Sequence, residues 1–492
     1  VMKQRIFAIL LSLTMMFTLV PTAWAEGNEQ PAMNGTCGAV GNEDSVKWAL
    51  TKNNEDSSNP TYTLTISGNG DMADFISPTD SSADDANIAP WYTALAVFAD
   101  KNSAVPITEV VVRDGVTGLG NWAFAYTQVT KATFTESVKN YGIQLYSHCS
   151  DLTTVDWTNF APEKVMLSKD DTTPYEGAAI PGNLFDSDRK LHICIVDGTT
   201  YTDTLVVPDN VTAVGTSGFY GTAFTEVNFK TGLKGVQQVG FYSFANMQEL
   251  ETLYVPAGLT YVLSASNSNA FAEEAALKSL TLEEGITEIP QRAFRDNPAI
   301  ETLVLPSTIT SIGEWAFNNN NSLYAVDLTK IANKLTVAKG GFNAYKDETN
   351  VCAFYVADSE MVAALKAENN GNRFINYGYF TITNGGIFQD DTKFEAGKLA
   401  TPVKDGYVFA GWYENAECTG NSVTEVQAGK TYYAKWENGS GFCGAEGNEK
   451  NVTWKLTANK EDPSTYTLTI SGTGDMANLV TLNEKLQVSS NN

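Results

Sequence analysis

The sequence predicts a mainly β protein with short helices, in which a solenoid of stacked coils precedes a small β domain. Three observations predict it. An Ala-Phe pair recurs at Phe271, Phe294 and Phe317, each 23 residues after the last. The apolar residues before those rings keep one spacing. After about residue 374 this grammar gives way to aromatic-rich runs split by Asn384-Gly385-Gly386 and Asp405-Gly406, both turn signals.

Composition bounds the rest. The 492 residues suggest roughly three domains at about 150 residues each. Lys and Arg number 32 against 57 Asp and Glu, for a net charge of −25 and a pI near 4.4. Such a field repels phosphate backbones and anionic headgroups, which excludes nucleic acid as a partner. Two histidines in the whole chain leave few places for a His-based catalytic base, triad or zinc cluster.

At the N-terminus, Lys3 and Arg5 precede an apolar run over 6–20, Pro21 breaks it, and Thr22-Ala23-Trp24-Ala25 supplies the small residues of a cleavage site. Residues 1–25 are expected to be a signal peptide cleaved after Ala25. The protein is then secreted or cell-surface, with no membrane insertion after cleavage. The six cysteines, at 37, 149, 194, 352, 418 and 443, are too dispersed for a disulfide scaffold and read as isolated, mostly buried thiols.

The coils are defined by apolar residues 14, 8 and 5 positions before each Phe: Leu303, Ile309 and Ile312 before Phe317, and Leu280, Ile286 and Ile289 before Phe294. Val110, Val116 and Leu119 stand so before Phe124, as do Leu205, Val211 and Val214 before Phe219, while Val236 and Val239 precede Phe244. About seven coils are recognisable, with Phe124, Phe219, Phe244, Phe271, Phe294, Phe317 and Phe342 as the expected core. An L-x-L pair puts two side chains on one face of a short strand. One coil of this length cannot bury that face alone, so neighbours must stack.

This grammar resembles the BspA-type leucine-rich repeats of exported bacterial proteins, whose consensus is like L-x-x-V-x-I-P-x-x-V-T-x-I-G-x-x-A-F. The resemblance implies a leucine-rich-repeat solenoid over 91–373, irregular between about 155 and 204 and interrupted before Phe271 and Phe342. It also implies a leader or cap over 37–90, where Cys37-Gly38, Trp48, the run 62–68, Gly70-Asp71-Met72 and Pro90-Trp91 follow in the family's order. At the far end, 352–356 reads as a last strand and Ser359 as the N-cap of a helix over 360–367 that covers the open coil.

The run Thr401-Pro-Val-Lys-Asp-Gly-Tyr-Val-Phe-Ala-Gly-Trp412-Tyr413, followed by Thr431-Tyr-Tyr-Ala-Lys-Trp436, resembles the Listeria-Bacteroides repeat of internalin-type proteins. That implies a small β-grasp-like domain over 374–437, a spacer or adhesive module with no catalytic residues to transfer. Residues 443–492 begin as a second copy of the leader: 465–472 is identical to 61–68. The copy ends before any Pro-Trp or coil, so the chain is expected to be a fragment of a longer gene product.

Candidate chemistry is sparse. His148-Cys149 and His192-x-Cys194 could supply two His and two Cys to zinc, but coil register places Cys149 where Asn297 and Asn320 stand and Cys194 at a core position like Leu303. Packed thiols, and no metal, are expected. The acid pairs at 84–85, 170–171 and 390–391 lie in no D-x-D-x-D-G loop, and no G-x-S-x-G, H-E-x-x-H or phosphate loop occurs. The chain is expected to be no enzyme and to need no cofactor.

The column two residues before each coil Phe is expected to face away from the core: Trp122, Ser217, Tyr242, Asn269, Arg292 and Trp315. Trp, Tyr and Arg are enriched at binding hot spots. Trp122, Tyr242, Arg292 and Trp315 are therefore the candidate binding residues, the alternative being that their rings only cover neighbouring coils. Thr252, Tyr254, Ser279, Thr281, Thr302 and Val304 form a second outward face, whose types β propensity alone explains. The resulting expectation is a surface recognition or adhesion protein for a host or neighbouring-cell protein. Carbohydrate capture and a passive spacer are the alternatives.

Overall fold

The computed structural model describes residues 33–54, 58–84, 86–95, 104–261, 268–331, 334–342, 351–368, 377–382, 386–390, 392–425, 427 and 429–477. The expected signal peptide lies outside them. Among them, no helix is long and apolar enough to cross a membrane.

Alternating apolar residues build the leader. Strands β1 (Asn34–Thr36), β2 (Val46–Lys52) and β3 (Tyr62–Gly68) form an antiparallel sheet with Val46, Trp48, Leu50, Leu64 and Ile66 buried. A two-residue strand, β4 (Gly70–Asp71), follows. Helix α1 (Pro90–Ala94) opens on a proline, whose missing N–H costs nothing at a helix start. It delivers Trp91 and Tyr92 into the core, where Trp91 Nε1 donates to Ala123 O at 3.0 Å and Tyr92 Oη to Ala125 O at 2.7 Å. Burial would otherwise strand those polar atoms.

The sheet then changes sense. β3 pairs in parallel with β5 (Ile107–Val112), and β4 in parallel with β6 (Val116–Leu119), so the leader continues both ladders of the solenoid and closes its first coil. Later coils add in phase: Leu253 faces Leu280 and Val255 faces Leu282 on one ladder, Ile289 faces Ile312 on the other. Between 155 and 204 the extra residues emerge as short antiparallel edge strands, Tyr175–Glu176 and the wholly exposed Thr199–Thr202. This accounts for the irregular spacing there.

The described residues hold nine stacked coils: Tyr146 and Phe185, the aromatics on which the register of Cys149 and Cys194 rests, serve as plugs alongside the seven Phe of the expected core. Ring centroids run 5.4 Å from Phe124 to Tyr146, 6.3 Å on to Phe185, then between 5.9 and 5.5 Å at each step to Phe342. Trp91 stacks on the first ring at 6.3 Å, and Phe354 meets the last edge-on at 5.1 Å. All nine plugs are buried.

The far end differs from expectation in two respects. Helix α2 (Ser359–Glu368) is capped by Asp358, not Ser359: Asp358 Oδ1 accepts from the amides of Glu360 and Met361, both at 3.0 Å. A carboxylate there satisfies two orphan donors and meets the positive end of the helix. Met361, Val362 and Leu365 pack into the solenoid core. The helix does not close the last strand, however, since a helix cannot pair with exposed strand amides. Tyr377–Thr381 does so, in parallel with Cys352–Val356, and the sheet runs on through Thr431–Asn438 to Tyr407–Tyr413. Strand 352–356 is thus buried on both faces: Phe354 in the solenoid core, Tyr355 in that of the small β domain with Phe380, Trp412 and Tyr432.

Candidate functional site

Each coil turns through its aromatic plug on an unusual backbone. The residue two before the plug has positive φ: 60° at Trp122, 55° at Tyr242, 59° at Arg292 and 57° at Trp315. Among the described residues, so does the residue two after it, with 57° at Tyr126, 63° at His148, 59° at Asp296 and 62° at Asn319. Left-handed conformations cost an L-residue roughly 1–2 kcal/mol. A third ladder offsets this, in which the amides of alternate residues donate to the next coil. Arg292 N meets Glu314 O at 3.1 Å, Phe294 N meets Ala316 O at 2.9 Å and Asp296 N meets Asn318 O at 2.7 Å. At Gly142, Gly240 and Gly313 the coils approach so closely that a Cβ would fall 2.5–2.6 Å from a backbone nitrogen of the preceding coil.

This geometry points the two flanking columns off the core. Trp122, Tyr242, Arg292 and Trp315 are all half-buried, as is Ser217, while Asn269 is buried between the longer Tyr242 and Arg292 of its neighbouring coils. The candidates fall into three clusters. Trp122 stacks on Tyr126 at 6.3 Å, and Tyr126 on His148 at 4.8 Å. Tyr242 lies edge-on to Tyr220 at 6.0 Å and to Phe241 at 4.3 Å. The Arg292 guanidinium covers the Trp315 ring at 4.4 Å. Beside the last pair, Arg295 bridges Glu273 and Asp296, and Asn319 Nδ2 donates to Asp296 Oδ1 at 2.6 Å.

The column two residues after the plug escaped the sequence reading. A signal was present, since Gly221, Asn246, Asp296 and Asn319 are types that tolerate positive φ. Tyr126 and His148 carry no such signal. Burial pulls the His148 imidazole below its usual range and Arg189 acts in the same direction, against Asp186.

The column three residues after the plug points inward and holds the coils together. Asn320 Oδ1 accepts Asn297 N at 2.9 Å, and Asn297 Oδ1 accepts Glu274 N at 2.8 Å while its Nδ2 donates to Phe271 O. Asp188 takes the same place lower down, accepting Cys149 N at 2.6 Å. Burial pushes the carboxyls of Asp188 and Glu274 well above the ordinary range. Cys149 contacts Thr127 Oγ1 and Phe124 O at 3.3 Å, and burial raises its thiol too. Cys194 is buried on its strand, its thiol pushed up to about 12. His192 Nδ1 donates to Lys190 O at 2.7 Å. Among the described residues no group of three or more His, Cys, Asp or Glu could hold a metal. The outward strand residues Thr252, Ser279, Thr281 and Val304 are exposed, and Tyr254 is half-buried with its hydroxyl donating to Glu283.

Residues 98–163 and 197–324 match, in six copies, the family model described as the BspA type leucine rich repeat region. The solenoid is a BspA-type leucine-rich-repeat array. Residues 380–435 match the Listeria-Bacteroides repeat domain, which places that module in the small β domain beyond the array. A search of curated proteins gives no match. Among solved structures, a leucine-rich repeat protein from Bacteroides ovatus is 12% identical, covers 67% of this chain and 98% of its own, and has a TM-score of 0.35. A leucine rich cell surface protein from Faecalibacterium prausnitzii is 16% identical over 70% and 98%, with a TM-score of 0.25. The pneumococcal vaccine antigen PcpA is 14% identical over 68% and 97%, with a TM-score of 0.29.

Proposed function

We propose that this chain is an exported bacterial surface protein that recognises a protein partner through the left-handed columns of its BspA-type array, without chemistry of its own. The observation that carries this is the clustering of Trp122, Tyr126 and His148, of Tyr220 and Tyr242, and of Arg292 and Trp315 on one backbone ladder. Rigid aromatic side chains lose little entropy on binding, and together with Arg they dominate interface energetics. Several weak contacts along tandem coils add without a deep pocket. A protein partner fits better than a glycan, because sugar stacking needs an open ring face. One face of Trp315 is covered by Arg292 and one face of Tyr126 by His148.

The test is a protein array and a glycan array probed with the mature chain and with a Trp122→Ala, Trp315→Ala double variant. Saturable protein binding should weaken roughly tenfold or more in the variant, as loss of a hot spot does. The circular dichroism spectrum should be unchanged. Equal affinity, or saturable binding to glycans alone, overturns the proposal.

A further inference from the structure

The second copy of the leader is folded like the first but lacks what the first one covers. Its strands β7 (Ser440–Phe442), β8 (Val452–Ala458) and β9 (Tyr466–Gly472) pair as β1, β2 and β3 do, with Val452 facing Gly472 as Val46 faces Gly68. The turns agree as well: Cys443 N donates to Val452 O and Gly444 N to Glu449 O, at the 2.8 and 3.0 Å found for Cys37 and Gly38. An isolated bridge joins Gly444 to Met476 as another joins Gly38 to Met72.

Burial separates the copies. Leu64, Ile66 and Met72 are 0%, 0% and 4% exposed, whereas their counterparts Leu468, Ile470 and Met476 are 55%, 47% and 45% exposed. Trp48 is buried against Trp91, while its counterpart Trp454 is half-buried. In the first copy β3 is paired with β5, whereas β9 is an edge strand, touched by the small β domain where Tyr466 Oη accepts from Phe409 N at 3.1 Å. A sheet edge with apolar side chains beside it is a template for another strand.

We propose that β7–β9 are a docking surface for the opening coil of a second leucine-rich-repeat array, lying outside residues 1–492. The first copy prescribes the fit. The incoming strand lies parallel to β9, with residues of the Val110 and Val112 type opposite Leu468 and Ile470. A following Val-Thr-Gly-Leu strand like β6 brings its Thr hydroxyl to Asp475, as Thr117 Oγ1 donates to Asp71 Oδ1 at 2.6 Å. The occupant also brings a Trp for Trp454, since residues 478–492 contain none. This chain's own opening coil is already taken, by its own leader.

The experiment supplies the occupant at high local concentration by joining residues 74–373 directly after Ala477 in the otherwise complete chain. Amide exchange is then followed across Thr467–Gly472. Exchange there should slow at least tenfold relative to the parent chain, and the joined array should resist protease. Ile470→Lys should restore fast exchange at β9 while leaving Thr63–Gly68 protected. Unchanged exchange at β9, or a joined array cleaved as an unfolded chain, overturns the proposal. So does a parent chain that sediments as a dimer dissolved by Ile470→Lys, which would give the surface to a second copy instead. None of these outcomes bears on the recognition face of the first array.

Discussion

Replacing Phe294 by Ala tests whether the aromatic spine holds the array together. The ring is fully buried between Phe271 at 5.6 Å and Phe317 at 5.5 Å, tilted only 9° and 11° from them. Truncating a buried Phe to Ala costs about 3–5 kcal/mol. Two ring contacts at about 0.5–1.5 kcal/mol each are part of that sum. In a linear array each coil touches only its neighbours, so the loss falls on one coil and two interfaces rather than on the whole chain. The amides to follow are those of Phe271 and Phe294, which donate to Ala293 O and Ala316 O. At tenfold per 1.4 kcal/mol, their exchange should quicken roughly a hundredfold to several thousand-fold, while amides of the leader sheet near Leu64 keep their rates. Phe294→Leu, which refills most of the space, should recover much of the loss. Unchanged exchange at Phe271 and Phe294, or equal quickening in the leader, would refute the reasoning.

Two further predictions concern buried and terminal charges. The Glu274 carboxyl is raised first by burial and then by Glu273, against the Met247 backbone, so the folded state holds its proton more tightly than the unfolded chain does. Stability should therefore fall as pH rises above about 4.3, the unfolded value, until the folded carboxyl has itself titrated. Glu274→Gln removes that slope, and urea unfolding from pH 4 to 8 should show the variant gaining on the parent as pH rises; parallel curves would count against it. Asp358→Ala removes both cap bonds of α2 and should cost about 0.5–2 kcal/mol, read as faster exchange over 360–365. Ser359→Ala should have no comparable effect.

The packing of the array was legible because it is repetitive. The apolar offsets before each Phe are a direct statement of which residues share the interior, and every such ring is buried. Tyr146 and Phe185 were legible as coil aromatics, since the register of Cys149 and Cys194 rests on them, but polar insertions stretch the spacing on either side of Phe185, and only the structure shows those insertions leaving as edge strands. The cap of α2 was misplaced by one residue, since Asp358 and Ser359 are both good cap types and sequence alone does not say which side chain reaches the Met361 amide. The meeting of Trp122, Tyr126 and His148 could not be read at all. It joins positions two before and two after a plug in one coil to a third in the next, and depends on φ values that these residue types rarely adopt.

Those φ values separate folding from display. At the position two before the plug, the strain lies in the backbone and the compensating hydrogen bond is made by the backbone amide, as at Arg292 N to Glu314 O. The side chain there takes part in neither. Trp122, Asn183, Ser217, Tyr242 and Trp315 accordingly share one conformation, with φ from 51° to 60°, despite having little chemistry in common. The plug is the reverse, with ring after ring of nearly one shape in one stack. At the half-buried positions of the column two before the plug, such as Trp122, Tyr242 and Trp315, sequence can therefore change with little cost to the array, and a truncation there reports on binding rather than on collapse. A fold that held its recognition residues by packing them would not permit that separation, since every change of ligand would also be a change in the core.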